Sequence, residues 1–423
     1  MTLRTNVLIA GGGIIGSALA WGLAARGVDG ITVVDLDLAG LYASSELNAG
    51  GVRATWWQEV NVETCAATLD FFRTHREDFG FRQCGYLWLY ESEALFAKAK
   101  SMRQMQNSYG LAVELLTPAE LAQRFGVLDR AARRLLGATL SPGDGLVNPN
   151  AVRQWYRREA EALGVRFLNR HYITGVRTAR QAGSTRRVAW VELIEVTAAD
   201  PTDRDGTIEQ ILTTHCVPCA PGQAPQRLEC ELVVNCLGAW SPLFSAKIGV
   251  SDVTEPTRRQ ICLVSVQHED QAQLAQLRSL GMVVDASDLY FHPEGNEILA
   301  GYSIPDEAPG FDFHYDGDSF FIEQLWPRLA GCSSLFEQCK PLRGWAGLYA
   351  VTPDRSGIAG PVRGFSNLFE AHSFTGRGVM QSYGVATALA EWIDTGRAPG
   401  SIASLGRERF ADPSRWLPED LHI

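Results

Sequence analysis

An α/β fold of two interleaved domains, one wound on a parallel sheet and the other built on a mostly antiparallel sheet, is what the sequence predicts. Three observations predict it. The 423 residues exceed one ordinary core and suit two domains of roughly 100 to 200 residues each. The segment from Asn6 to Asp35 reads strand, glycine-rich turn, helix, strand, which is a βαβ unit. Between Thr254 and Tyr302 the strand-like runs ICLVSV, MVVD, LYFH and EILAGY are separated by turn residues, as in an antiparallel sheet. The alternation of these patterns places one domain at 1–84, 146–248 and 342–423 and the other at 85–145 and 249–341.

Taken in order, NVLIA is a strand, GGGIIG the turn, SALAWGLAARG a helix and ITVVD the returning strand. Val60, Cys65, Leu69 and Phe72 then recur at helical spacing, which marks an amphipathic helix. GYLWLY reads as a strand, followed by helices from Ser92 to Tyr109 and from Pro118 to Phe125. The second carries a capping box of Thr117 and Glu120. After the turn SPGDG, Asn148 or Asn150 caps the next helix. VAWVELIEV, IEQILTT and LECELVVNC read as strands of a meander, with Asp200 to Gly206 as its mobile tip. A helix ends near Leu329; GWAGLYAV, PDRSG and NLFEAH give strand, turn and strand, and a long helix runs from Gly378 to Asp394. No internal repeat occurs, which removes solenoids.

The formal charge of -10 argues against nucleic acid, because a phosphate backbone is bound by a basic face. No stretch approaches the roughly 20 apolar residues that cross a bilayer, and the apolar N-terminal segment is glycine-rich without a cleavage pattern. Nine scattered cysteines in a chain this long favour a reducing compartment, and a cytoplasmic location is expected. His215, Cys216, Cys219 and Cys230 include a CxxC spacing. A second CxxC is missing and prolines surround the group, so it reads as a loop, and no metal is expected.

Gly11, Gly13 and Gly16 form GxGxxG directly after a strand and at the start of a helix. Such glycines allow a tight turn, close approach of amides to a pyrophosphate, and close packing of helix on strand. The helix presents free N–H groups and its positive dipole end to the phosphates. Asp35, nineteen residues after Gly16, ends the next strand where a carboxylate accepts bonds from ribose hydroxyls. NAD and FAD share this fingerprint, and the distinction lies elsewhere in the chain.

With GGGIIG and Asp35, the segments SSELNAGGVR, DGLVNPNAV, VVNCLGAWS, GLYAVTPDRSGIAGP and SFTGRGVMQS follow in order. The chain thereby resembles the amino-acid and sarcosine oxidase superfamily of FAD enzymes, which includes glycine oxidase and dimethylglycine dehydrogenase. The resemblance implies a Rossmann-like FAD-binding domain interleaved with an α+β substrate domain whose sheet roofs the flavin. It implies that Ser45 and Gly51 lie by the pyrophosphate and flavin, that Ile173 meets adenine, and that Gly238 and Ala239 form a second cofactor turn. Gly376, Gly378 and Val379 are expected to bring amides and a helix N-terminus to the flavin. A reduced flavin carries negative charge there, which a positive dipole end stabilises.

The resemblance puts Arg53, which closes the GGVR turn, at the family's flavin-proximal position, where an arginine can bond the flavin or clamp a carboxylate. Tyr349 matches a tyrosine of the family's substrate cavity, and Arg377 stands in a flavin-adjacent slot often filled by histidine. Tyr290 and His292 alternate on the presumed roof strand and could share one face. Met380 replaces a flavin-side lysine of sarcosine oxidases. Covalent attachment in relatives uses a cysteine aligned with Gly347 or a histidine near Ser45, and neither is present, which implies noncovalent FAD. The expected reaction is oxidation of a C–N bond of an amino acid or N-substituted glycine, by hydride transfer to flavin N5 and hydrolysis of the imine. Two other readings stay open: a 2-hydroxy acid dehydrogenase with His292 as base, and an assembly factor in which FAD is structural. The motifs do not distinguish oxygen, a quinone or a protein as electron acceptor.

Overall fold

A computed structural model describes residues 2–181, 183–197, 200, 202–218 and 223–421. Thr2–Ala10 lies at the centre of the first sheet, parallel to Gln226–Asn235 on one side and Ile31–Val34 on the other. Leu368–His372 and Arg166–Leu168 extend the parallel run outward. Leu8, Ile9, Val33 and Val234 are fully buried. A central strand covered on both faces needs apolar residues at successive positions, which is why these segments read as continuous apolar runs. Antiparallel additions are Ile358–Pro361 and the pair His171–Arg180 with Arg186–Glu195.

The helix Ile14–Ala25 packs between Gly378–Thr395 and Pro149–Ala162. Gly16 fixes how close it comes: a Cβ there would stand 1.9 Å from the Gly11 carbonyl oxygen. Asn148, and not Asn150, caps Pro149–Ala162, accepting from the amides of Asn150 and Ala151. Thr117 and Glu120 make the expected reciprocal box.

The second sheet has eight strands, ordered Lys340–Val351, Glu255–Ser265, Glu297–Tyr302, Leu289–Glu294, Met282–Val284, Tyr86–Tyr90, Gly137–Ser141 and Glu114–Leu116. Only the pairing of Met282–Val284 with Tyr86–Tyr90 is parallel. Alternation sorts its two faces. Phe291, Ala300, Cys262 and Val264 bury against a π-helix at Phe320–Leu325 and the helix Trp326–Cys332, which extends past the expected end at Leu329. Tyr290, Leu299, Ile261 and Trp88 face the other way with Trp57.

Two segments differ from expectation. Lys340–Val351 pairs with Glu255–Ser265 along its length, so the second sheet continues to Val351 instead of ending at 341. IEQILTT is the helix Thr207–Thr214, because Asp203 accepts from the amides of Ile208 and Glu209, and Ile208 and Ile211 bury at helical spacing. Asp203 is itself buried, and Pro201 of the expected tip lies outside the described residues.

Candidate functional site

One cavity joins the ends of both sheets. Its wall includes Gly11, Gly13, Asp35, Ser45, Ile173, Gly238, Ala239, Tyr349, Gly376, Gly378 and Val379, all predicted from sequence. Helices begin at Ile14 and Gly378 on this wall, and neither has an acidic residue in its first turn. The first amides of each helix lack intrahelical acceptors, so both starts offer donors on this wall. Asp35 accepts from the amides of Gly12 at 2.5 Å and Asp37 at 2.8 Å. Burial raises its pKa, and these two amides oppose the rise. The Ser45 hydroxyl is buried without a protein partner. Gly16 lies behind the wall in its packing role, Gly51 lies under the Tyr86 hydroxyl, and Met380 is buried in the apolar core.

At Tyr349 the cavity reaches a denser group. A Cβ on Gly376 would come within 2.6 Å of the Tyr349 ring, and Gly376 has a φ of 78°, so this turn suits glycine on both counts. Arg53 stacks on Trp56 at 3.4 Å and donates to the carbonyls of Leu421 at 2.5 Å and Thr55 at 3.3 Å. Arg377 lies 4.7 Å from the same indole. Its side-chain nitrogens Nε, Nη1 and Nη2 are all buried without a partner, and the residue is 1% exposed.

Burial lowers the pKa of Arg53 to about 10, against the opposing charges of Tyr86, Glu419 and Asp144. Burial lowers Arg377 as well, with Glu419 the leading opposing charge. Tyr349 is raised by burial while Arg259, Arg377 and Arg53 hold it down. Asp144 accepts from the Ala54 amide at 3.0 Å and the Thr55 hydroxyl at 2.9 Å, yet burial lifts its pKa to about 6.

Tyr290 lies on the roof face with its ring over Gly301, where a Cβ would stand 2.3 Å from the ring. His292 is occupied on both sides: Nε2 lies 2.8 Å from the Ala49 carbonyl oxygen and Nδ1 lies 3.0 Å from that of Pro293. It ties the roof to the loop before GGVR and has no ring nitrogen left for a substrate.

The family follows from the span of the match. Residues 6–392 match the model described as FAD dependent oxidoreductase. The chain belongs to that family. It is 28% identical over 422 residues to FAD-dependent oxidoreductase domain-containing protein 1 of Bos taurus, covering 92% of this chain and 81% of the relative. It is 23% identical to the mitochondrial sarcosine dehydrogenase of Mus musculus, covering 99% of this chain but 43% of that one. Among solved structures, L-proline dehydrogenase from P. horikoshii superposes with a TM-score of 0.79 at 21% identity, covering 97% of this chain and 99% of the other. Glycine oxidase from Geobacillus kaustophilus gives 0.73 at 20%, covering 96% and 98%. The cofactor of this flavoprotein oxidoreductase is FAD. The residues fit it: two helix N-termini and the unpartnered Ser45 hydroxyl, all on the cavity wall, offer donors that the chain itself does not satisfy.

Sequence reasoning missed Trp56, Tyr86, Asp144 and Glu419. Glu419 accepts from the amides of Trp57 and Gln58 and from the Asn61 side chain. For Tyr86 a signal existed in the alternation of GYLWLY; Glu419 offered none. His215 packs on Phe311 at 4.4 Å, Cys216 is exposed, Cys230 is buried on its strand, and Cys219 lies outside the described residues. No group of three or more His, Cys, Asp or Glu that could hold a metal occurs among the described residues.

Proposed function

We propose that this chain oxidises the C–N bond of an amino acid or N-substituted glycine-type amine and holds its FAD without a covalent bond. The observation that carries the reading is the unpartnered guanidinium of Arg377, which lies over Trp56 and follows the Gly376 turn against Tyr349. An uncompensated buried charge costs several kcal/mol, so an acceptor belongs there. A substrate carboxylate supplies one in the form an arginine fork fits best. Printed names of relatives and neighbours, among them sarcosine dehydrogenase, L-proline dehydrogenase and glycine oxidase, point to amines of this kind.

Bound FAD supplies the acceptor for a hydride from the substrate α-carbon. The chain supplies position and dryness: Arg377 orients the carboxylate, Arg53 adds positive charge, and the buried Tyr290 and Trp56 exclude water. An amine that enters unprotonated needs no base, and the imine is hydrolysed in water. The 2-hydroxy acid reading does need a base, and both ring nitrogens of His292 already face carbonyl oxygens. Gly347 has no side chain, and Ser44 to Asn48 contains no histidine, which supports noncovalent FAD.

Anaerobic stopped-flow absorbance with amino acids, N-methyl amino acids and 2-hydroxy acids tests the reaction. Amines should bleach the flavin and hydroxy acids should not. Bleaching by hydroxy acids alone would reject it, and so would an inert flavin in a protein that co-purifies with partners, which is the assembly-factor result.

A further inference from the structure

Consecutive arginines on the strand Glu255–Ser265 have opposite surroundings. Arg258 points to one face, where Glu307 lies 2.8 Å and Asp316 2.9 Å away. Arg259 pairs in register with Gly347, and strand alternation puts it on the face of Ile261, Trp345 and Tyr349. Its guanidinium lies 5.4 Å from the centre of the Tyr349 ring. Nη1 donates to the Arg258 carbonyl, Nε is buried without an acceptor, and no ion pair to Arg259 forms among the described residues. Arg377 follows Gly376, whose turn lies against the same tyrosine ring, and its side-chain nitrogens are also without a hydrogen-bond partner.

Two neighbouring charges are committed. Arg53 has its donors on the carbonyls of Thr55 and Leu421. Glu419, the acid that acts most on Arg377, spends its oxygens on Trp57, Gln58 and Asn61. Two guanidiniums that flank the Tyr349 turn, neither in an ion pair among the described residues, are matched by a ligand with two negative groups.

We propose that the surroundings of Tyr349, where it meets the cavity, form a two-carboxylate site, with one carboxylate received by Arg377 and the other by Arg259 across the ring. Resting on the reading of the protein as an amine-oxidising enzyme, the substrate is then a dicarboxylic amine. Arg259 is its specificity-determining residue, because it receives the carboxylate that a monoacid lacks.

Titration of the FAD-loaded protein with inert acids of matched length, followed by calorimetry and the flavin spectrum, tests the site. Succinate and glutarate should bind at least about tenfold more tightly than propionate and butyrate. Arg259→Gln should remove most of that ratio by weakening the diacids, and Arg377→Gln should weaken both series. Equal affinities in the unaltered protein, which need no variant to fold, overturn the proposal, as does a ratio that survives Arg259→Gln. N-methylaspartate compared with N-methylalanine in anaerobic reduction then separates the two readings. Diacid selectivity without reduction by any amine overturns the amine chemistry and leaves the anion site standing.

Discussion

The guanidinium carbon of Arg53 lies 3.4 Å from the centre of the Trp56 ring, and the indole Nε1 donates to the Arg53 carbonyl at 3.1 Å. A desolvated cation on an indole gains about 2 kcal/mol. Trp56→Ala should cost about 3–5 kcal/mol, from lost packing together with the lost ring face. Trp56→Phe, which keeps a weaker face, should cost clearly less. Urea unfolding of the three proteins checks this, and equal losses would show that the ring face contributes nothing.

Arg377 predicts opposite effects on stability and activity. Its unpartnered charge is a burden to the protein without ligands. Arg377→Met should raise the stability of the FAD-free, substrate-free protein by about 1–3 kcal/mol and lower kcat/KM with amino acids by at least about tenfold. Differential scanning calorimetry of the FAD-free protein and steady-state kinetics of the FAD-loaded protein read the two effects. A variant that is less stable and fully active would refute the carboxylate role.

Asp144 makes stability depend on pH with a definite sign. Its pKa is raised from 3.8 to about 6 by burial, so the folded state favours the protonated acid. The penalty is absent below pH 3.8, grows as pH rises, and is complete above about 6, where the shift corresponds to roughly 3 kcal/mol. Asp144→Asn removes this dependence. The melting temperature of the variant minus that of the wild type should rise between pH 4.5 and pH 7; a constant or falling difference counts against the buried charge.

Cofactor attachment can be read from acid precipitation. Yellow colour should pass into the supernatant, and colour retained in the pellet would show a covalent link. FAD at about 100 times its Kd should add roughly 2.7 kcal/mol of stability. Gly16→Val should abolish that gain, since even a Cβ at this position meets the Gly11 carbonyl oxygen at 1.9 Å.

What was legible in the sequence follows the range of the physics involved. Gly11, Gly13 and Gly378 stand out because turns and helix starts are set by a few adjacent residues, and the cavity brings together even such distant pieces as Asp35 and Val379. The order of their motifs carried that information. IEQILTT was misread because seven residues fit either period, and the deciding Asp203 cap lies outside the run. Trp56 and Glu419 were invisible for another reason. Glu419 meets Trp57 and Gln58 only after the fold has closed, and no local pattern announces a contact across more than 350 residues. The alternation of Tyr290 and His292 was readable, but the Ala49 carbonyl that takes up the imidazole was not.

The central position of Thr2–Ala10 in its sheet bears on how the protein is made. Its partners Arg227 to Asn235 leave the ribosome more than 200 residues later. At about 5–20 residues per second, the first strand waits on the order of 10–45 s with one edge unpaired and its apolar faces open. During that interval the nascent chain is a client for chaperones, and the glycine-rich turn has no finished pocket to offer a nucleotide.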